Sequence, residues 1–282
     1  MEPANPEKRN TPHARFLNTG GSTAAWNMAV DELLFESCRT HLGEGRPPEE
    51  APLTFRVYAW SPPAISLGRG QAAERDIFLE RLADEGIDIC RRLTGGRAVL
   101  HDCELTYSIT GPQAQLGDAI EETYRRISQG LAEGLAALGA QVELAPPSGS
   151  AYASQGSCFA TASVWELAIG GKKMVGSAQC RDAGAVLQHG SVLLRSSEER
   201  LASLLKPRGA ERLLFRQAHA IGLWEVLGEE IPFHEVAEAL KAGLERVLGF
   251  RFSPDALTSA ENAKALKISR SRYENQEWTL AR

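Results

Sequence analysis

No window of the chain approaches the roughly 18 consecutive apolar residues that a membrane-spanning helix needs. The first thirteen residues carry three prolines and no apolar stretch. They lack the hydrophobic centre of a secretory signal and are expected to form a frayed tail. A soluble, cytoplasmic protein with no membrane partner is the expectation. Positive charge is short as well: 31 Lys and Arg against 36 Asp and Glu leave a formal net charge of -5. That excludes the broadly basic surface on which nucleic acid binds. The five cysteines (Cys38, Cys90, Cys103, Cys158, Cys180) are odd in number, scattered, and never spaced as CxxC. Neither a disulfide framework nor a zinc site fits that distribution. No His/Asp/Glu spacing resembles another metal site, and no serine sits in a nucleophile-elbow pattern. A P-loop, a dinucleotide-binding glycine motif and internal repeats are absent too.

What is present is a chain of 282 residues, 43% hydrophobic, long enough to bury a sizeable core. Residues 26–35 place apolar side chains three and four apart behind Thr23 or Ser22 as cap, which predicts an amphipathic helix. Residues 53–60 alternate as a strand, Ser61-Pro62-Pro63 breaks it, and 64–69 resume as a second strand. That strand ends at Gly68, where backbone can approach a ligand or another segment. Short or amphipathic helices are predicted at 77–85, 119–138, 198–205, 213–227 and 233–248, and a strand near 142–144. The loop 145–155 is almost entirely Pro, Ser, Gly and Ala, and leads directly into Cys158.

Two stretches carry the chemistry. In the first, strand-like runs flank Thr94-Gly95-Gly96-Arg97, which reads as a hairpin turn whose backbone N–H groups could also face an oxyanion or a carbonyl oxygen. Arg91, Arg92 and Arg97, with Arg69 and Arg181, are either solvated surface arginines or a local patch for an acidic partner. The second stretch, 156–194, reads as a hairpin turning at Gly170-Gly171, followed by a buried strand at 191–194. Its turns and strand starts would bring Cys158, Lys173 and His189 together. A cysteine thiolate attacks a thioester to give another thioester, and a nearby ammonium such as Lys173 favours the thiolate. Cys158 is equally readable as a small buried hydrophobe, and His101 and His189 as satisfied core histidines. Cys180 competes as the thiol beside Lys173, but its place in a probable strand favours packing. Cys38, Cys90 and Cys103 sit in apolar elements and are expected in the core.

Arg91-Arg92-Leu93-Thr94-Gly95-Gly96-Arg97-Ala98-Val99-Leu100-His101-Asp102 resembles the RRxTGGRAVLHD motif of the lipoate-ligase and octanoyltransferase superfamily. Two further stretches resemble its second and third motifs: Gly171-Lys172-Lys173-Met174-Val175-Gly176-Ser177-Ala178-Gln179 and Leu187-Gln188-His189-Gly190-Ser191. The resemblance runs from about Trp26 to Leu248, with an echo at 273–279. Cys158-Phe159 stands where the ATP-dependent ligases carry an Asn-Asp type sequence. This is similar to the cysteine-dependent octanoyltransferases of the LipM type, in which the cysteine precedes the motif lysine. Cys180 stands where threonine is common.

The resemblance implies an α+β fold, a mixed, largely antiparallel sheet flanked by helices. Residues 14–252 would be the catalytic domain, with 253–282 packed on it. It implies that Cys158 carries an octanoyl thioester and that Lys173 favours the thiolate and orients the acyl carbonyl. Substrate would meet Arg92, Thr94, Gly95, Gly96, Arg97, His101, Gly176, Ser177, Ala178, His189 and Gly190. Octanoyl-acyl carrier protein would be the donor and a lipoyl domain or glycine cleavage H protein the acceptor. No metal or cofactor is called for, and a monomer is the working expectation. Three alternatives stay open: an octanoyl-H-protein amidotransferase, an ATP-dependent lipoate-protein ligase, and a non-catalytic acyl- or carrier-binding protein.

Overall fold

The computed structural model describes residues 13–144, 166–206 and 219–281. The tail up to residue 12, the loop 145–155, Cys158 and Trp165 lie outside the described residues. Eight strands make one sheet: β1 (His13–Ser22), β2 (Thr54–Trp60), β6 (Glu104–Pro112), β7 (Glu143–Leu144), β8 (Leu167–Ile169), β9 (Lys172–Asp182), β10 (Ala185–Leu193) and β11 (Arg251–Asp255). Their order is β11-β1-β2-β6-β10-β9-β8-β7. Only β11–β1 and β1–β2 are parallel pairs within it. A second, three-stranded sheet is formed by β3 (Ala64–Leu67) between β4 (Asp88–Arg91) and β5 (Val99–His101). This is the α+β, mixed and largely antiparallel architecture expected.

Side-chain alternation gives the large sheet two unlike faces. Phe55 and Val57 of β2 and Leu105, Tyr107 and Ile109 of β6 join the main core with helices α2 (Ile120–Ala137) and α3 (Phe233–Leu248). Leu131, Leu135, Leu240 and Leu244 are fully buried there, each adding roughly 1.5–3 kcal/mol of burial energy. The two helices touch backbone to backbone because both contribute glycine: a Cβ on Gly134 would lie 2.7 Å from Ala239 O. On the opposite face the alternate residues are mostly polar: Arg56, Thr106, Ser108, His189 and Ser191, all buried. That face is covered by helix α1 (Ala24–Gly43), capped by Thr23, and by the small sheet. A buried polar face of this kind needs internal partners for every group, and its partners build the site.

Several expectations need correction. Residues 88–101 are not a hairpin: β4 and β5 both pair with β3, one on each side, so the Gly95-Gly96 loop crosses over the end of β3. The crossing is close enough that a Cβ on Gly68 would fall 1.9 Å from Gly96 O, so the segment approaching Gly68 is this loop. The strand expected at 191–194 starts at Ala185, because the turn is made by Ala183 and Gly184, both at positive φ. Of the helix expected at 213–227, residues 213–218 lie outside the described residues, Ala220 bridges to Lys173 beside β9, and Leu223–Leu227 is helical. In 77–85 the helix is Leu79–Asp84, and Ile77 bridges to Leu205. Cys38 and Cys90 are core residues, but Cys103, on the turn into β6, is half-buried.

At the far end of the chain, β11 lies along β1 and helix α4 (Ser259–Ile268), with a Thr258/Glu261 capping box, packs on α1. Arg91 ties the last residues down. Its guanidinium donates to the carbonyls of Trp278 (3.1 Å), Thr279 (2.9 Å) and Ala281 (2.9 Å) and, from its other edge, to those of Gly68 (2.9 Å) and Gln71 (2.7 Å).

Candidate active site

Between the polar face and the small sheet lies a cavity of about 350 Å³. Its walls include Trp60, Ser66, His101 and Thr106, the glycine loop at Gly95, Gly96 and Arg97, and Lys173, Gly176, Ser177 and Ala178 on β9. Arg92, His189 and Gly190 complete the predicted residues that line it, and Arg92, Arg97 and Lys173 outnumber Glu166 in charge. Thr94 stands one layer back, fully buried. Cys158 lies outside the described residues. The structure thus gathers strands β5, β9 and β10 and the glycine loop, distant in sequence, around one space.

Lys173 is held at the start of β9. Its Nζ donates to Glu166 Oε1 at 2.5 Å, with both side chains buried, and its backbone is paired on either side with His219 O and Ile221 N. The ion pair fixes the ammonium on the cavity wall; the carboxylate offsets part of its field, so what it offers is a positioned cationic donor. It can steady an anionic sulfur or a carbonyl oxygen that gains charge.

Behind the glycine loop, a neutral His189 donates through Nδ1–H to Asp31 Oδ2 (3.1 Å) and accepts at Nε2 from the Thr94 hydroxyl (2.7 Å). This tautomer satisfies both contacts. Burial pushes His189 below its ordinary value, against the opposing pull of Asp31. Burial alone would raise Asp31, but the His189 hydrogen bond and the Arg56 charge outweigh it and hold the carboxyl low. Asp31 also accepts from Arg56 (2.7 Å), Tyr58 (2.9 Å) and Ser108 (2.8 Å). A pH dependence follows. Below the unfolded-state value near 6.5, the unfolded chain takes up a proton at His189 that the folded chain refuses, so stability falls with pH. The share due to Asp31 is lost only in more acidic solution, as pH falls through its lowered folded-state value. Urea unfolding is expected to show stability declining from about pH 7 to about pH 5, and a shallower decline in His189→Gln. An equal slope in the variant would exclude His189 as the source.

Arg91, Arg92 and Arg181 are committed to backbone carbonyls, while Arg69 is exposed and Arg97 lines the cavity. Arg91 and Arg92 are buried, and Arg92 donates to the carbonyls of Ser66 (2.8 Å), Gly95 (2.8 Å) and Arg97 (2.7 Å), which shapes the glycine loop from within. Arg181 donates to the carbonyls of Gly117, Asp118 and Ala119. Cys180 packs with Phe35, Cys38 and Leu187 away from the cavity lining, and burial pushes its thiol up to about 12. Among the described residues no cluster of three His, Cys, Asp or Glu could hold a metal, and no helix is long and apolar enough to cross a membrane.

Sequence reasoning missed Asp31, Ser66, Glu166, Trp60 and Glu104. Ser66 did carry a signal, since it is a polar residue inside an otherwise apolar run; Asp31, next to Glu32 in a helix, did not stand out. Glu166 and Glu104 gave none, because one precedes a strand and the other begins one, positions that usually face water.

Residues 23–245 match the model of the lipoyl protein ligase A/B catalytic domain. Octanoyltransferase LipM of Moorella thermoacetica is 41% identical over 276 residues, covering 95% of this chain and 98% of its own. LipM of Geobacillus kaustophilus is 38% identical, with coverage of 95% and 98%. Among solved structures, lipoate-protein ligase A bound with ATP superposes with a TM-score of 0.77 at 22% identity, over 95% of this chain and 98% of its own. A putative lipoate protein ligase of T. acidophilum with bound lipoic acid gives 0.75 at 23%, over 96% and 99%. These two likenesses speak for the fold alone. The chain belongs to the lipoyl protein ligase A/B catalytic-domain family, and groups within it with the LipM octanoyltransferases.

Proposed function

We propose that this chain is a cytoplasmic octanoyltransferase of lipoate biosynthesis that works through a thioester on Cys158. The donor is the octanoyl thioester on the phosphopantetheine arm of acyl carrier protein, and the acceptor is a lysine of a lipoyl domain or of glycine cleavage H protein. The observation that carries the reading is Lys173, a buried ammonium on the wall of a cavity of about 350 Å³. LipM relatives of nearly full length support it, as does the order Cys158 before Lys173.

In the first half-reaction the Cys158 thiolate attacks the donor carbonyl, the C–Sγ bond forms, and the carrier's thiolate leaves and takes up a proton. One thioester replaces another, so no energy source is called for. In the second, the neutral ε-amine attacks the acyl-cysteine carbonyl, the C–S bond breaks, and the proton released by nitrogen ends on sulfur. Thioester to amide is downhill, and positioning is what remains to be supplied. Lys173 would favour the thiolate and face the carbonyl oxygen. Gly95, Gly96 and Arg97, with Gly176, Ser177, Ala178 and Gly190, would line the path of the chain. Burying the six methylenes of an octanoyl group is worth roughly 5 kcal/mol at about 0.8 kcal/mol each.

Incubating the purified protein with octanoyl-acyl carrier protein, without ATP, should give an octanoyl adduct by intact mass that maps to the Cys158 peptide. A strict ATP requirement, or an adduct on Cys180, would overturn the proposal. Supplying octanoyl-H protein as donor separates the two transfer reactions: faster acylation from that donor than from the carrier protein would make the chain an amidotransferase.

A further inference from the structure

One constellation in the cavity is not used by the cysteine reaction. Ser66 on β3 and His101 on β5 both line the cavity, and Glu104 opens β6 directly after the turn. His101 Nδ1–H donates to Glu104 Oε1 at 2.7 Å, which leaves Nε2 to accept the Ser66 hydroxyl at 2.7 Å. This is the hydroxyl–imidazole–carboxylate order of a serine hydrolase, recognised by geometry and not by sequence position.

The three groups are held in place. Trp60 stacks on the His101 ring, with centroids 4.0 Å apart and planes 12° from parallel. Glu104 Oε1 also accepts from Ser191 at 2.8 Å and from Thr106, and Thr106 in turn accepts from Trp60 Nε1 at 2.7 Å. Arg92 Nη1 donates to Ser66 Oγ at 3.1 Å. Its cation lies beside the hydroxyl, where its field lowers the cost of negative charge that develops at an attacked carbonyl. Ser66 lies mid-strand and is 1% exposed, so only a small acyl group entering through the cavity can reach it.

We infer that Ser66, His101 and Glu104 form a second acyl-accepting centre that hydrolyses short-chain acyl esters and thioesters independently of Cys158. Ser66 Oγ attacks the acyl carbon as its proton passes to His101 Nε2, and Glu104 steadies the imidazolium. The donor's C–O or C–S bond breaks, and the leaving oxygen or sulfur takes the proton from Nε2. Water, the co-substrate, then gives a proton to Nε2 and its oxygen to the acyl carbon. The acid departs, and Ser66 recovers its proton.

The test is made on the full chain carrying Cys158→Ala, so it stands or falls separately from the thioester proposal. With p-nitrophenyl acetate and butyrate, this chain should release p-nitrophenolate above the buffer rate. Ser66→Ala in the same background should lower that release by about 100-fold. A fluorophosphonate should label the Cys158→Ala chain once, at the Ser66 peptide; this readout keeps Ser66 and does not depend on how Ser66→Ala folds. Release at the buffer rate, release unchanged by Ser66→Ala, or a label on any other residue would each overturn the inference and leave the three groups as a clamp on the small sheet.

Discussion

Replacing Cys158 by alanine is expected to lower octanoyl transfer to the acceptor by on the order of 10⁴-fold or more, as for other enzymes that lose a covalent nucleophile. Without the sulfur the amine must meet the carrier-bound thioester directly, and the two large proteins must then be held together at once. Lys173→Met in the same assay is expected to cost about 10²–10³-fold, the loss typical of one preorganised group that stabilises developing charge. Most of that loss should appear at saturating donor, because a charge that acts on the reacting atoms affects the transition state more than the ground state. Cys180→Ala should transfer at the parent rate, since that thiol packs away from the cavity lining. Single-turnover measurement of amide formation separates the cases, and a Cys158→Ala chain within tenfold of the parent would remove the acyl-enzyme from the scheme.

The second large effect is on stability. Arg56 is fully buried and donates to Asp31, to Asn27 O (3.0 Å) and Oδ1 (2.8 Å), and to Thr19 Oγ1 (3.0 Å), while its guanidinium lies 3.8 Å above the Tyr58 ring. Asp31→Ala leaves that cation buried with no counter-charge and strips Tyr58, Ser108 and His189 of their shared acceptor. The expected cost is about 3–5 kcal/mol by urea unfolding at neutral pH, a large part of the ~5–15 kcal/mol by which domains are stable. Arg56→Met with Asp31→Leu should recover much of it, because an apolar pair has no charge to desolvate. A loss below about 1 kcal/mol for Asp31→Ala would mean that Arg56 is hydrated, contrary to its burial here.

Local patterns in the sequence carried most of the helices and strands. Residues 26–35, 119–138 and 233–248 show the 3.6-residue period over enough turns to be unambiguous, and helices occupy all three regions. Pairing between strands was less legible. The runs around Gly95-Gly96 read as a hairpin because adjacent strands usually pair, and nothing local reveals that β3 lies between them. The motif residues of the site could be singled out because they stand on turns and glycine-flanked strands. Their buried supports could not. Arg91 and Arg92 look like surface charge in one dimension, and only the folded chain shows their donors taken up by backbone carbonyls. Asp31 and His189 meet across 158 positions of sequence.

The guanidinium of Arg91 holds both the segment after β3 and the last turn of the chain. Arg91 and Ala281 lie 190 residues apart in the sequence. Three of the guanidinium's bonds go to carbonyls between residues 278 and 281. A chain cut before residue 278 would lose the acceptors that the Trp278, Thr279 and Ala281 carbonyls give Arg91, and is expected to hold the segment after β3 less firmly.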